Sequence, residues 1–110
     1  MQWQRRYERV SFYCPVKVIV LPDGPTLSGY SFDISLGGVG ITLNTLLKPG
    51  QDVCISFQLR GDSDKCVEES VWGRVASLEA DVDCNLVGIE FLGEVHRLRQ
   101  LLLATMVGSL

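Results

Sequence analysis

The sequence predicts an all-β domain: a small six-stranded antiparallel β-barrel, preceded by an N-terminal arm and followed by one C-terminal α-helix. Three observations carry this prediction. Six segments alternate apolar and polar residues or are rich in β-branched residues, which is the period of a strand. Clusters of Gly, Pro, Asp and Ser punctuate them. A helical period occurs only in the tail, and 110 residues suffice for one core, so residues 1–110 read as a single domain. Six short strands in an open sheet would leave two unpaired edges, and closing the sheet removes them.

The first ten residues read as an arm, because Arg5, Arg6 and Arg9 lie in a stretch without apolar periodicity. From Phe12 to Leu21, Val16, Val18 and Val20 alternate with Lys17, Ile19 and Leu21, and the β-branched content favours a strand. Pro22-Asp23-Gly24-Pro25 turns the chain. In the second strand Tyr30, Phe32 and Ile34 are expected on one face and Ser31, Asp33 and Ser35 on the other, so that Asp33 and Ser35 point the same way. Gly37-Gly38 breaks this strand, and Val39, Ile41 and Leu43 resume the alternation in a third. Lys48-Pro49-Gly50 makes a turn, and Val53, Ile55, Phe57 and Leu59 share one face of a fourth strand. After the polar turn Gly61-Asp62-Ser63-Asp64, a fifth strand runs from Lys65 to Leu78 and is broken by Glu79 to Asp83. The sixth, Asn85 to Leu92, turns Val87, Ile89 and Phe91 to one side, which bounds the barrel at 11–93. Val95, Leu98, Leu101, Leu102 and Met106 then fit an amphipathic helix over 94–107, uninterrupted by Pro or Gly, that caps the barrel. Leu101-Leu102-Leu103 is more than one helix face buries, which leaves apolar surface for a homodimer or a docking protein.

Composition excludes several function classes. A net charge of −3 disfavours a general nucleic-acid binder. The longest apolar runs, Val16 to Leu21 and Leu101 to Ala104, fall short of the roughly 20 residues of a membrane span, so no membrane insertion is expected. The polar start Met1-Gln2-Trp3-Gln4-Arg5-Arg6 lacks the pattern of a secretory signal, and the expected location is the cytoplasm. Cys14, Cys54, Cys66 and Cys84 form no C-x-x-C pair and His96 has no partner in sequence, so no metal site is expected. Cys14, Cys54 and Cys84 fall in apolar segments and read as core thiols. No Ser/His/Asp or Cys/His arrangement accompanies them, so the chain reads as a non-enzyme with no cofactor. Against the acidic background, Arg5, Arg6 and Arg9 are crowded into five positions, the footprint of a small anion.

Two short motifs remain: Arg5-Arg6-Tyr7-Glu8-Arg9 before the first strand, and Asp33-Ile34-Ser35-Leu36-Gly37-Gly38 at the end of the second. By itself the basic cluster reads as a solvated terminus. Asp-x-Ser before Gly-Gly alone reads as a turn in which the side chains bond their own backbone. In this order, separated by one strand and a hairpin, the two resemble the paired signatures of the PilZ domain family: R-x-x-x-R at Arg5 and Arg9, and [D/N]-x-S-x-x-G at Asp33, Ser35 and Gly38. Val87-Gly88-Ile89-Glu90-Phe91 is similar to the closing strand before that family's C-terminal helix.

The resemblance implies a receptor for the bacterial second messenger cyclic di-GMP, which alters its surface on binding to regulate motility, adhesion or exopolysaccharide through a downstream protein. In the implied site Arg5 and Arg9, with Arg6 beside them, fork onto phosphate oxygens or guanine O6 and N7, or stack on a base. Asp33 accepts from a guanine N1–H and N2–H₂ edge, Ser35 offers its hydroxyl to a phosphate, and Gly37 and Gly38 shape the floor. Two or three such arginine contacts at roughly 1.5–3 kcal/mol each, with stacking, reach the ~8 kcal/mol of micromolar binding. Gln4 stands where some members carry a further arginine, which leaves open one or two nucleotides per chain. The alternative is a PilZ-like adaptor that holds protein partners and binds no nucleotide. Trp72 and Arg74, on one face of the fifth strand, are explained as well by barrel packing as by a binding wall.

Overall fold

The computed structural model describes residues 9–60 and 66–92. Most of the expected arm and the helix expected over 94–107 lie outside the described residues. Among the described residues there are six strands: β1 (Val10–Val20), β2 (Thr26–Ile34), β3 (Gly38–Leu43), β4 (Asp52–Arg60), β5 (Cys66–Ala80) and β6 (Asn85–Phe91). They form a closed antiparallel barrel in the order β1-β2-β3-β6-β5-β4. Closure is made by β1 against β4, from Val16 opposite Phe57 to Val20 opposite Val53. Every strand therefore has a neighbour on both sides, and no edge is left to template aggregation.

The alternation anticipated in β1 is unbroken: Cys14, Val16, Val18 and Val20 point inward and their neighbours outward. Val53, Ile55 and Phe57 of β4, Val39 and Ile41 of β3, and Val87 and Ile89 of β6 complete a core that is closed to solvent. Each such side chain removed from water contributes roughly 1.5–3 kcal/mol. Phe57 lies at the centre, its ring 6.5 Å from those of both Phe12 and Phe91. The β3–β4 connection is drawn in by Leu47, which is buried, and by the Gly50 N–H, which donates to the Val75 carbonyl at 2.8 Å. Gly50 adopts φ of +87°, a left-handed conformation that a side chain disfavours.

The structure corrects the faces expected in β2. Tyr30 is 63% exposed and Ser31 only 1%, while Ile34 is fully buried. Tyr30 and Ile34 thus lie on opposite faces, although strict alternation would unite them. The cause is an irregularity at Phe32. Ser31 pairs with Ile41 and Asp33 with Gly40, leaving Phe32 without a β3 partner of its own. On the other side Ser11 pairs with Asp33 and Cys14 with Ser31, so Phe12 and Tyr13 together oppose Phe32. This bulge reverses the inward and outward sense of β2 after Ser31. The Ser31 hydroxyl donates to the Phe12 carbonyl at 2.6 Å, satisfying a group displaced from the ladder and explaining a buried serine in an apolar wall.

A second bulge, between Val75 and Ser77 of β5, turns Leu78 toward the core in the same way. Two further expectations shift. Strand β5 continues through Glu79 to Ala80, and β1 begins at Val10. Of the three thiols read as core, only Cys14 is buried. Cys54 lies on the outer face of β4 opposite Trp72, and Cys84 in the β5–β6 turn, both half-buried. Burial pushes the Cys54 thiol above its ordinary value.

Candidate functional site

Arg9 immediately precedes β1, whose Val10 and Ser11 pair with Ile34 and Asp33. This register brings two motifs from opposite ends of a hairpin to one rim of the barrel. Arg9 Nη1 lies 3.5 Å from Asp33 Oδ2, and the two side chains are 22% and 20% exposed. The pair is sheltered enough to be screened less than a fully solvated one.

Asp33 reaches this position because of the bulge. With unbroken alternation it would share the inward face of Ser31, and Ile34 would face water. Phe32 instead places Asp33 outside and Ile34 inside. Asp33 Oδ1 accepts the Gly40 N–H at 3.1 Å. A carboxylate bonded once on each oxygen retains acceptor capacity for a ligand.

Gly40 is required where it stands. A β-carbon there would lie 2.6 Å from Asp33 Oδ1 and 2.5 Å from the Phe32 ring. Across the sheet Gly40 faces Gly88 of β6, so the wall beside Asp33 carries no side chains at this level. The sequence reading missed Gly40. Gly38 and Gly40, spaced by two on an otherwise β-branched strand, are the signal of a close approach on one face.

Ser35 is 6% exposed, and its hydroxyl is engaged within the loop. Its Oγ accepts the Gly37 N–H at 3.1 Å and lies 3.5 Å from the Gly38 carbonyl, which also accepts the Ser35 N–H at 2.9 Å. The Phe91 N–H donates to the Gly37 carbonyl at 2.9 Å, fastening the turn to the end of β6. Ser35, Gly37 and Gly38 thus build the connection that follows Asp33. Arg9, Asp33, Ser35, Gly37 and Gly38 are gathered at one rim, whereas Arg5, Arg6 and the adjoining Glu8 lie outside the described residues. On the far side of the barrel Trp72 is 60% exposed, and the Arg74 Nε–H donates to Asp52 Oδ1 at 2.9 Å.

Charge is unevenly shared between the halves. Strands β1, β2 and β3 are neighbours and carry one carboxylate, Asp33; β4, β5 and β6 carry Asp52, Glu68, Glu69, Glu79 and Glu90. Among the described residues no group of three His, Cys, Asp or Glu side chains is placed to hold a metal ion, and no helix is long and apolar enough to cross a membrane.

A closed six-stranded barrel with a cationic and carboxylate-bearing rim defines the class: a small all-β domain with a polar site built on its outer wall. The chain belongs to the PilZ domain family, whose sequence model matches residues 4–106. Its fold is similar to that of the inhibitor of motility MotI/DgrA of Bacillus subtilis, with 16% identity and a TM-score of 0.77 over 98% of this chain and 52% of that one. It is likewise similar to the K. pneumonia MrkH–c-di-GMP complex (14% identity, TM-score 0.75, 98% of this chain and 55% of that one). Escherichia coli YcgR in complex with c-di-GMP gives 22% identity and a TM-score of 0.74 over 96% of this chain and 47% of that one. The chain spans about half the length of these proteins. Comparison with curated protein sequences gives no significant match.

Proposed function

We propose that the chain is a cyclic di-GMP receptor without catalytic activity, and that the rim holding Arg9 and Asp33 is its ligand site. The observation that carries the reading is the ion pair itself. It joins a residue of the R-x-x-x-R motif to the first residue of the D-x-S-x-x-G motif across 24 positions of sequence. Membership of the PilZ family supports it, as do the related YcgR and MrkH folds, which were solved with c-di-GMP.

In this reading Asp33 accepts from the N1–H and N2–H₂ edge of one guanine, an edge that presents only donors. Arg9 is held by Asp33 before the ligand arrives and then turns its fork to a phosphate or to guanine O6 and N7. Arg5 and Arg6 close from the arm onto the phosphates, the engaged Ser35 hydroxyl adds a contact at its open side, and Gly37 and Gly38 let the nucleotide approach the backbone. The domain divides into arm (1–10), barrel (11–93) and helix (94–107). Ligand favours the state in which the arm is folded over, and the altered surface is what a downstream protein reads. A reducing, cytoplasmic setting fits the thiols of Cys54 and Cys84, which form no disulfide among the described residues.

Isothermal titration with cyclic di-GMP, with cyclic di-AMP and GTP as controls, tests the proposal. Micromolar or tighter binding that is lost in Arg9→Ala and Asp33→Ala supports it, and the fitted stoichiometry answers the question raised by Gln4. Absence of heat and of chemical-shift change at high ligand would overturn it and leave a protein-binding adaptor.

A further inference from the structure

Beside Asp33, the outer face of β1 and β2 presents aromatic side chains that the barrel does not use. Tyr13 is 80% exposed and Tyr30 63% exposed. Both project from strands closed into the barrel on either side, so neither belongs to a frayed end. The register places them together. Pro15 pairs with Tyr30, Tyr13 is the next outward residue of β1, and Phe12 with Tyr13 opposes Phe32 at the bulge. The Phe32 ring lies against Gly40, outside the buried cluster, next to the Asp33 carboxylate. Tyr13, Tyr30 and Phe32 therefore make one aromatic surface continuous with the site, and Pro15 supplies a flat, rigid patch between the tyrosines.

Leaving two tyrosines in water gains the fold nothing, since the hydrophobic effect favours their burial. A planar, sequence-tolerant partner is what an exposed aromatic face accepts best, and a nucleobase is such a partner. Charge selects the same occupant. In a chain of net charge −3, this face belongs to the three strands whose only carboxylate is Asp33, and Lys17 lies two residues beyond Pro15 on the outward side of β1. A dianionic ligand meets less repulsion here than along β4, β5 and β6.

We infer that Tyr13 and Tyr30, with Phe32, form a stacking shelf for the guanine of cyclic di-GMP that Asp33 does not read. The inference rests on the cyclic di-GMP reading and adds a second base subsite to it. One guanine is held by its hydrogen-bonding edge at Asp33 and the other by its face on the tyrosines, with the phosphates between them near Arg9. The shelf recognises a flat base without reading its edge, so it adds affinity for that base and no discrimination of its identity.

The test is titration of cyclic di-GMP into the wild-type chain and into Tyr13→Leu, Tyr30→Leu, Tyr13→Phe and Tyr30→Phe. Proton NMR of the wild-type complex runs beside it. Leucine keeps the strand and removes the π face, and should weaken binding between about 5-fold and about 150-fold per tyrosine that stacks. Phenylalanine keeps the face and should leave affinity within about twofold. In the complex the H8 proton of one guanine should shift upfield and show cross-relaxation to tyrosine ring protons. Wild-type binding with leucine variants unchanged and no such cross-relaxation overturns the shelf while the receptor reading stands. Failure of the wild type to bind overturns both. Melting curves of the variants separate lost stacking from lost fold.

Discussion

At the scale of single residues, the most consequential atoms are the two oxygens of Asp33, one on Arg9 and one on the Gly40 amide. Asp33→Ala removes both bonds and leaves the Gly40 N–H without its acceptor, which costs about 1–3 kcal/mol of stability. Urea denaturation should show that loss, and titration should show cyclic di-GMP affinity falling at least tenfold (a charge-assisted contact is worth about 1.5–3 kcal/mol). Gly40→Ala tests the same point without touching a polar group. Its β-carbon would press on Asp33 Oδ1 and the Phe32 ring, so about 1–3 kcal/mol of overpacking is expected together with weakened binding. Cys54 behaves differently from an ordinary surface thiol because burial raises its pKa. At neutral pH less of it is thiolate, so iodoacetamide should modify it more slowly than a free cysteine. Its rate should keep climbing with pH after the free thiol has levelled off, and mass spectrometry over a pH series measures this.

At the scale of elements, the strands were legible in sequence and the bulges were not. A period of two in β-branched residues is a strong signal, and it located β1, β3, β4 and β6 to within a few residues. It also implied that Tyr30, Phe32 and Ile34 share a face, because an inserted residue leaves no compositional trace. What defeats the alternation is tertiary: Ile34 gains more from the core than Tyr30, and Phe32 absorbs the half-turn of phase. The candidate site was legible as residue types in order, Arg9 and Asp33 included. Its geometry was not, since the outward direction of Asp33 depends on that extra residue, and the need for Gly40 shows only when Phe32 and Asp33 are seen against it. Deleting Phe32 makes the dependence testable. If Phe32 is the extra residue, its deletion leaves Ser31 opposite Ile41 and Asp33 opposite Gly40 in an unbroken ladder, so Asp33 should stay outward and Ile34 inward, with a loss of about 1–3 kcal/mol in chemical denaturation and ligand binding still measurable. A deletion variant that lost binding and exposed Ile34 would show that the phase is set elsewhere than at Phe32.

At the scale of the whole molecule, closure makes the barrel one cooperative unit. The β1–β4 seam joins segments about 37 residues apart, from Val16 with Phe57 to Val20 with Val53, and no strand can leave without breaking two ladders. Phe57→Ala removes the ring that touches both Phe12 and Phe91 and should cost about 3–5 kcal/mol. That is a large part of the roughly 5–15 kcal/mol holding a domain of this kind together. Circular dichroism and intrinsic fluorescence should report the same lowered midpoint. The uneven placement of carboxylates acts beyond stability. With five acidic residues against Arg60 and Arg74 on β4, β5 and β6, and Asp33 against Lys17 on β1, β2 and β3, the less negative side of the barrel strands is the wall beside Arg9. On the cyclic di-GMP reading, a doubly charged nucleotide is repelled least along that wall, so its approach is biased there before any contact forms. The strand order thus sets the direction of approach, and added salt, which shortens the field's reach, weakens that bias.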